Sequence, residues 1–237
     1  MNIAIILAGG MGLRTFNNVP KQFLTVYDKP IIIYTLEKFQ NHPEIDFIIC
    51  PCLDGWQETL AAYAKQYNIP KLKMIVPGGA TGHESINNAL GAIKGKYSES
   101  DIVIIHDAIR PVVSPEVISE CILTAKKHGS GVAALDCQET IIRTNDGISG
   151  NVSIDRSEIK RVQTPQAYKC EKLLWAYAEG KKRGIKDSVY ANTLFTEIGE
   201  TVYFSLGSEK NFKITHNEDI EVFRAIISME QNGRKLG

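Results

Sequence analysis

The chain carries no excess of either charge: 27 basic and 27 acidic residues give a formal net charge of zero. Surfaces that hold nucleic acid or lipid headgroups need a broad excess of cations. The balance therefore points away from both partners, and any cationic site must be local. Disulfide and zinc frameworks are missing too. The five cysteines are odd in number and contain no C-x-x-C pair, and Cys50-Pro51-Cys52 reads as the end of a buried strand. No apolar stretch reaches membrane-spanning length. The N-terminal apolar run lacks a basic flank and is too short for a signal peptide. A cytoplasmic protein with reduced thiols is expected. Internal repeats, low-complexity segments and linkers are absent, so the 237 residues read as one domain, residues 1–237, large enough to bury its own core.

What is present is alternation. Apolar runs of strand length occur at Ile3–Leu7, Asp46–Cys50, Lys73–Val76, Ile102–His106, Gly131–Leu135 and Thr201–Ser205. Helical patterns occur at Ile31–Gln40, Trp56–Tyr67, Glu84–Ile93, Pro115–His128, Glu171–Arg183 and Glu218–Glu230. This order predicts an α/β fold, a mostly parallel sheet with helices on both faces. Ligands of such sheets bind beyond the carboxyl ends of the strands. Residues 136–168 break the alternation, and 136–160 read as an inserted β-arm. Thr140-Ile141-Ile142-Arg143 and Val152-Ser153-Ile154-Asp155-Arg156 flank Asn145-Asp146-Gly147, which predicts a hairpin. A hairpin leaving a domain exposes apolar surface and unpaired edges. A second subunit is the natural cover.

The strongest motif follows the first strand: Gly9, Gly10 and Gly12, then Arg14, Pro20 and Lys21. Glycines let the backbone turn sharply and bring N–H groups near a phosphate, and spaced cations suit a ligand with several phosphates. The pattern is neither a P-loop nor a dinucleotide fingerprint, whose third glycine position holds Thr15. It suggests an enzyme acting on a nucleoside triphosphate; the rival reading is a plain strand-to-helix turn with solvated charges. Asp107, just past the strand in His106-Asp107-Ala108-Ile109-Arg110-Pro111, suits a divalent cation bridging phosphates. Ser114 is the better cap for the following helix, and His106 reads as structural. Gly78-Gly79-Ala80-Thr81-Gly82-His83-Glu84-Ser85 offers N–H groups and a hydroxyl for a base or ribose. Arg156 suits a phosphomonoester, and Lys213 is placed at the end of a short strand. No Ser-His-Asp triad or His-rich cluster occurs.

Together these strings resemble the cytidylyltransferase family that includes 2-C-methyl-D-erythritol 4-phosphate and ribitol-5-phosphate cytidylyltransferases. The match runs through Leu7-Ala8-Gly9-Gly10-Met11-Gly12-Leu13-Arg14, Pro20-Lys21-Gln22-Phe23-Leu24, Lys29-Pro30, Gly78-Gly79, Ser85 and His106–Pro111. It continues through Asp155-Arg156, Gln163-Thr164-Pro165-Gln166 and Asn211-Phe212-Lys213-Ile214-Thr215. The resemblance implies a nucleotidyltransferase fold, a β-arm locking a homodimer, and joining of CTP to a polyol phosphate with Mg²⁺ and release of pyrophosphate. It implies Arg14 and Lys21 as catalytic. Leu7, Ala8, Gly9, Gly10, Gly12, Gly79, Ser85 and Asp107 would hold the nucleotide, with Asp107 on the metal. Arg110, Thr140, Arg156, Thr164 and Lys213 would bind the second substrate, Arg156 from the partner's arm. In-line attack by an already anionic phosphate needs positioning and charge neutralisation, not a general base. The chain departs from the family strings in three places: Gly82 stands at an Arg position, Glu139-Thr140 at a D-T pair, and Val189-Tyr190 at a T-D pair. These leave the acceptor open: ribitol 5-phosphate or a similar polyol leads, and methylerythritol 4-phosphate follows. A sugar-1-phosphate nucleotidyltransferase shares the glycine loop but not Gln163–Gln166 and the arm. An inactive nucleotide-binding regulator is the reading from another class.

Overall fold

The computed structural model describes residues 1–10, 19–96, 98, 100–186 and 188–233. Its core is a seven-stranded sheet, and a short antiparallel pair, β2 (Thr25–Val26) and β3 (Lys29–Pro30), stands apart from it. Four neighbouring strands run parallel: β6 (Ile102–Asp107), β1 (Asn2–Leu7), β4 (Phe47–Cys52) and β5 (Leu72–Pro77). Strands β1 and β6 are apolar almost throughout because both of their faces are covered. Their two-residue period sorts the side chains. Ala4, Ile6, Ile102 and Ile104 pack under α1 (Ile31–Gln40), α2 (Gln57–Gln66) and α4 (Pro115–His128). Ile3, Ile5, Val103 and Ile105 pack on the opposite face under α3 (Gly82–Ile93), α5 (Cys170–Lys182) and α6 (Ala191–Glu197). The C-terminal helix α7 (Asn217–Gly233) places Phe223 and Ile227 against Ile31 and Tyr34. Pro115 begins α4, where a missing N–H costs nothing, and the Ser114 hydroxyl accepts from Val117 N–H.

The six expected strands and six expected helices are all present, with the last strand shifted to β11 (Phe204–Leu206). Strand β10 (Lys160–Lys169) was not foreseen. It runs antiparallel between β6 and β7 (Ser130–Asp136), and β11 lies parallel to β7 at the sheet edge. Its register shifts between Val162 and Gln166, around Pro165, which has no N–H to give a ladder. The cis bond Thr164–Pro165 lies in this shift.

The expected hairpin forms from β8 (Ile141–Arg143) and β9 (Val152–Ile154). Its turn is built on Asp146, whose carboxylate accepts from the N–H groups of Ile148 and Ser149 and from the Thr144 and Ser149 hydroxyls. Gly147 supplies the left-handed residue at φ 73°. Ile142, Ile148 and Val152 stand exposed on it.

Candidate active site

The carboxyl ends of β1 and β6 open into a cavity of about 520 Å³, within the usual range for ligand sites. Of the sequence-selected residues, Leu7, Ala8, Gly9, Gly10, Lys21, Gly79, Ser85, Asp107 and Lys213 line it. Gly12 and Arg14 lie outside the described residues.

The glycines divide into two kinds. A Cβ on Gly9 would meet Gly78 Cα at 3.2 Å, and one on Gly79 would fall 2.2 Å from Glu84 Cβ. These residues let two chain segments touch. Among the described residues, nothing lies within 4 Å of such an atom on Gly10. The N–H groups expected to be free in the second loop are already used. Gly79 N–H donates to Ser85 Oγ at 2.9 Å, and Ala80 N–H donates to the Glu84 carboxylate at 2.7 Å. Thr81 accepts from Glu84 N–H as the cap of α3. The T-x-x-E spacing of Thr81 and Glu84 is a capping-box signal, and it would have started this helix at Gly82 rather than at Glu84. Gln22, given no role from sequence, is buried and its amide donates to Ala8 O at 2.8 Å and Gly10 O at 3.0 Å. It ties the 3₁₀ turn Lys21–Phe23 to the glycine turn. Lys21 lies in that turn, is buried, and donates through Nζ to Thr215 O.

Asp107 is the last residue of β6 rather than a residue beyond it. It is the one carboxylate among the described lining residues. Arg110 Nε donates to it at 3.0 Å, and Lys213 Nζ lies at 3.3 Å. The Tyr190 hydroxyl donates to the carboxylate, 3.2 Å from both oxygens, and accepts from Lys213 Nζ at 2.6 Å. Burial opposes ionisation of Asp107, but Lys213 and then Arg110 outweigh it and hold the carboxyl below its ordinary range. Burial likewise opposes the charge on Lys213, yet Asp107 and then Tyr190 raise its affinity for the proton. Burial, then the Asp107 charge, keeps Tyr190 a neutral phenol at higher pH than usual. With Lys21 and Lys213 against one carboxylate, the described lining is cationic and suited to an anionic ligand.

The remaining residues stand elsewhere. Arg110 and Thr164 are not in the lining. Arg110 spans Asp107 and Asn211 O, and the Thr164 hydroxyl accepts from Asp107 N–H at 3.1 Å. Both reach the site through Asp107. Thr140, just before β8, and Arg156, just after β9, are exposed and absent from this lining, and Arg156 donates to Gln138 O at 2.9 Å. Lys213 sits in a loop, not at a strand end. Ile214 N–H donates to Ile109 O at 2.9 Å and anchors that loop. His106 is structural in its geometry, with Nε2 3.1 Å from Arg110 O. Among the described residues no group of three or more His, Cys, Asp or Glu could cage a metal. Among the same residues no helix is long and apolar enough to cross a membrane.

The family model described as IspD, 2-C-methyl-D-erythritol 4-phosphate cytidylyltransferase, matches residues 2–229. A ribitol-5-phosphate cytidylyltransferase of Lacticaseibacillus paracasei is 43% identical over 229 residues, covering 96% of this chain and 98% of its own. A 2-C-methyl-D-erythritol 4-phosphate cytidylyltransferase of Clostridium acetobutylicum is 37% identical over 222 residues, covering 93% and 94%. The solved 4-diphosphocytidyl-2C-methyl-D-erythritol synthase of Anaerococcus prevotii superposes with a TM-score of 0.81 at 24% identity, covering 96% of this chain and 98% of its own, and shows the shared fold. The chain belongs to the 2-C-methyl-D-erythritol 4-phosphate cytidylyltransferase (IspD) family of nucleotidyltransferases.

Proposed function

We propose that this enzyme transfers CMP from CTP to ribitol 5-phosphate or a similar polyol phosphate, releasing pyrophosphate. The observation that carries the reading is one nucleotide-sized cavity joining the glycine turn, Lys21, Asp107 and Lys213. Higher identity to the ribitol-5-phosphate relative than to the methylerythritol one favours ribitol. The family description favours methylerythritol 4-phosphate as the second reading.

In this mechanism Leu7–Gly10 and the Gly79–Ser85 loop seat the nucleotide. Lys21 and Arg14 oppose the charge that grows on the α-phosphate during in-line attack. Lys213, and Arg156 from a partner's arm with Thr140 beside it, orient the acceptor's phosphate. Arg110 and Thr164 support the site through Asp107. The lone carboxylate fits an ion that arrives with the nucleotide, because Mg²⁺ takes one or two carboxylates together with phosphates and waters. Asp107 would hold it through Oδ1, which Arg110 and Lys213 do not contact, and such an ion would neutralise phosphate charge. The protein acts as a homodimer through residues 136–160, in the cytoplasm.

The test is to incubate the protein with each nucleoside triphosphate and a panel of polyol and sugar phosphates, with and without EDTA. Product mass and pyrophosphate release are read. CDP-ribitol formed only with metal is expected. A methylerythritol product selects the second reading, and nucleotide binding without turnover identifies a regulator.

A further inference from the structure

Gly82 and Tyr190 lie 108 residues apart in sequence but share one wall of the cavity. A Cβ on Gly82 would stand 3.2 Å from the Val189 carbonyl oxygen. That is tighter than ordinary contact, so a side chain here pushes the Val189-Tyr190 segment outward. With glycine the segment closes on the start of α3, and the Tyr190 hydroxyl reaches Asp107 and Lys213. Both positions depart from the family strings, and their contact makes them one feature.

We propose that Tyr190, seated by Gly82, is a positioning residue that sets acceptor recognition by fixing Lys213. This rests on the transferase reading above. The phenol oxygen accepts one of the three Lys213 N–H donors, and the Asp107 carboxylate pairs with the same ammonium at 3.3 Å. With Tyr190 and Asp107 fixing the ammonium among the described residues, its remaining N–H capacity is aimed at a ligand. In the functional reading above Lys213 orients the acceptor's phosphate, which assigns this pair to the second substrate. The glycine turn follows β1, whereas Tyr190 precedes α6 and Lys213 follows β11, beyond β6. Asp107, at the end of β6, stands between them. Losing the phenol oxygen therefore frees Lys213 without touching the nucleotide turn.

The experiment measures kcat and both KM values for Tyr190→Phe, Gly82→Ala and the double variant, using CTP with ribitol 5-phosphate and with methylerythritol 4-phosphate. Tyr190→Phe is expected to raise the acceptor KM about tenfold, the scale of a hydrogen bond to a charged group. The KM for CTP should change less than about twofold, the two contacts being separate. Gly82→Ala should act in the same direction, and the double variant should be no worse than Tyr190→Phe, because Gly82 works through Tyr190. The ratio of kcat/KM between the two acceptors should shift in both single variants. Parallel rises in both KM values in Tyr190→Phe, or additive losses in the double variant, overturn this inference and leave the transferase intact. Absence of wild-type turnover with every acceptor overturns the functional reading and this inference with it.

Discussion

At the scale of single residues, buried charge and its partners decide the behaviour. Lys21 is held in place by the Thr215 carbonyl, so its ammonium is set before substrate arrives. Lys21→Ala is expected to lower kcat about 10²-fold, the scale of losing one preorganised donor. CTP affinity should fall far less, because the contact strengthens as charge develops. Equal losses in kcat and in CTP affinity, read by turnover and calorimetry, would reduce Lys21 to a binding residue. His106 makes a different prediction. Burial lowers its pKa from 6.5 to about 4, so the native state refuses a proton that the unfolded chain accepts. Its stabilising effect is complete above pH 6.5 and is lost as pH falls towards 4. The loss is on the order of 3 kcal/mol, at about 1.4 kcal/mol per pH unit. His42, also lowered by burial, adds to the same trend. Urea denaturation at pH 7 and pH 5 should show a shallower dependence in His106→Gln than in wild type; identical slopes would remove His106 as the cause.

At the scale of elements, close approach explains more glycines than ligand binding does. A Cβ on Gly131 of β7 would fall 2.3 Å from Cys121 O and 2.9 Å from Ala125 N in α4. That helix is seated directly on the strand, with Cys121 Sγ donating to Gly131 O. Gly131→Ala should cost about 1–3 kcal/mol or more by denaturant unfolding. Gly10→Ala, whose added methyl meets no described residue within 4 Å, should leave stability nearly unchanged, so any loss of activity there reports on the ligand. The parallel strands were legible because two covered faces demand continuous apolar residues. Strand β10 was not, because Lys160–Lys169 carries a proline and two buried glutamines, Gln163 and Gln166, where a central strand normally carries aliphatics. Gln166 is tolerated because Asn192, Tyr168 and the Gln163 carbonyl satisfy its amide. Helix α6 has only seven residues, too few to show a period.

At the scale of the molecule, Arg156 is absent from the lining of its own chain's cavity, and the hairpin it follows exposes Ile142, Ile148 and Val152. A second copy covering the hairpin would bring Arg156 to the neighbouring site. Two inactive variants, Lys21→Ala and Arg156→Ala, should then partly recover activity after subunit exchange, because one site of the mixed dimer holds both wild-type residues. Verified heterodimers that stay inactive would place Arg156 in its own subunit or show that the arm does not cross. Shortening residues 137–159 to a tight turn should give monomers without activity, measured by light scattering and turnover.

The sequence alone determined the layers, the carboxyl-end location of the site and most of its lining, because periodicity and glycine placement are local properties of the chain. Only the tertiary structure decided which donors remain free. Gly79 and Ala80 spend their N–H groups on the cap of α3. Arg110 and Thr164 serve Asp107 rather than the cavity. Tyr190 reaches Asp107 and Lys213 because residue 82 has no side chain. Each of these depends on groups distant along the chain meeting within hydrogen-bond reach or within a methyl group's width, and no local pattern encodes that meeting.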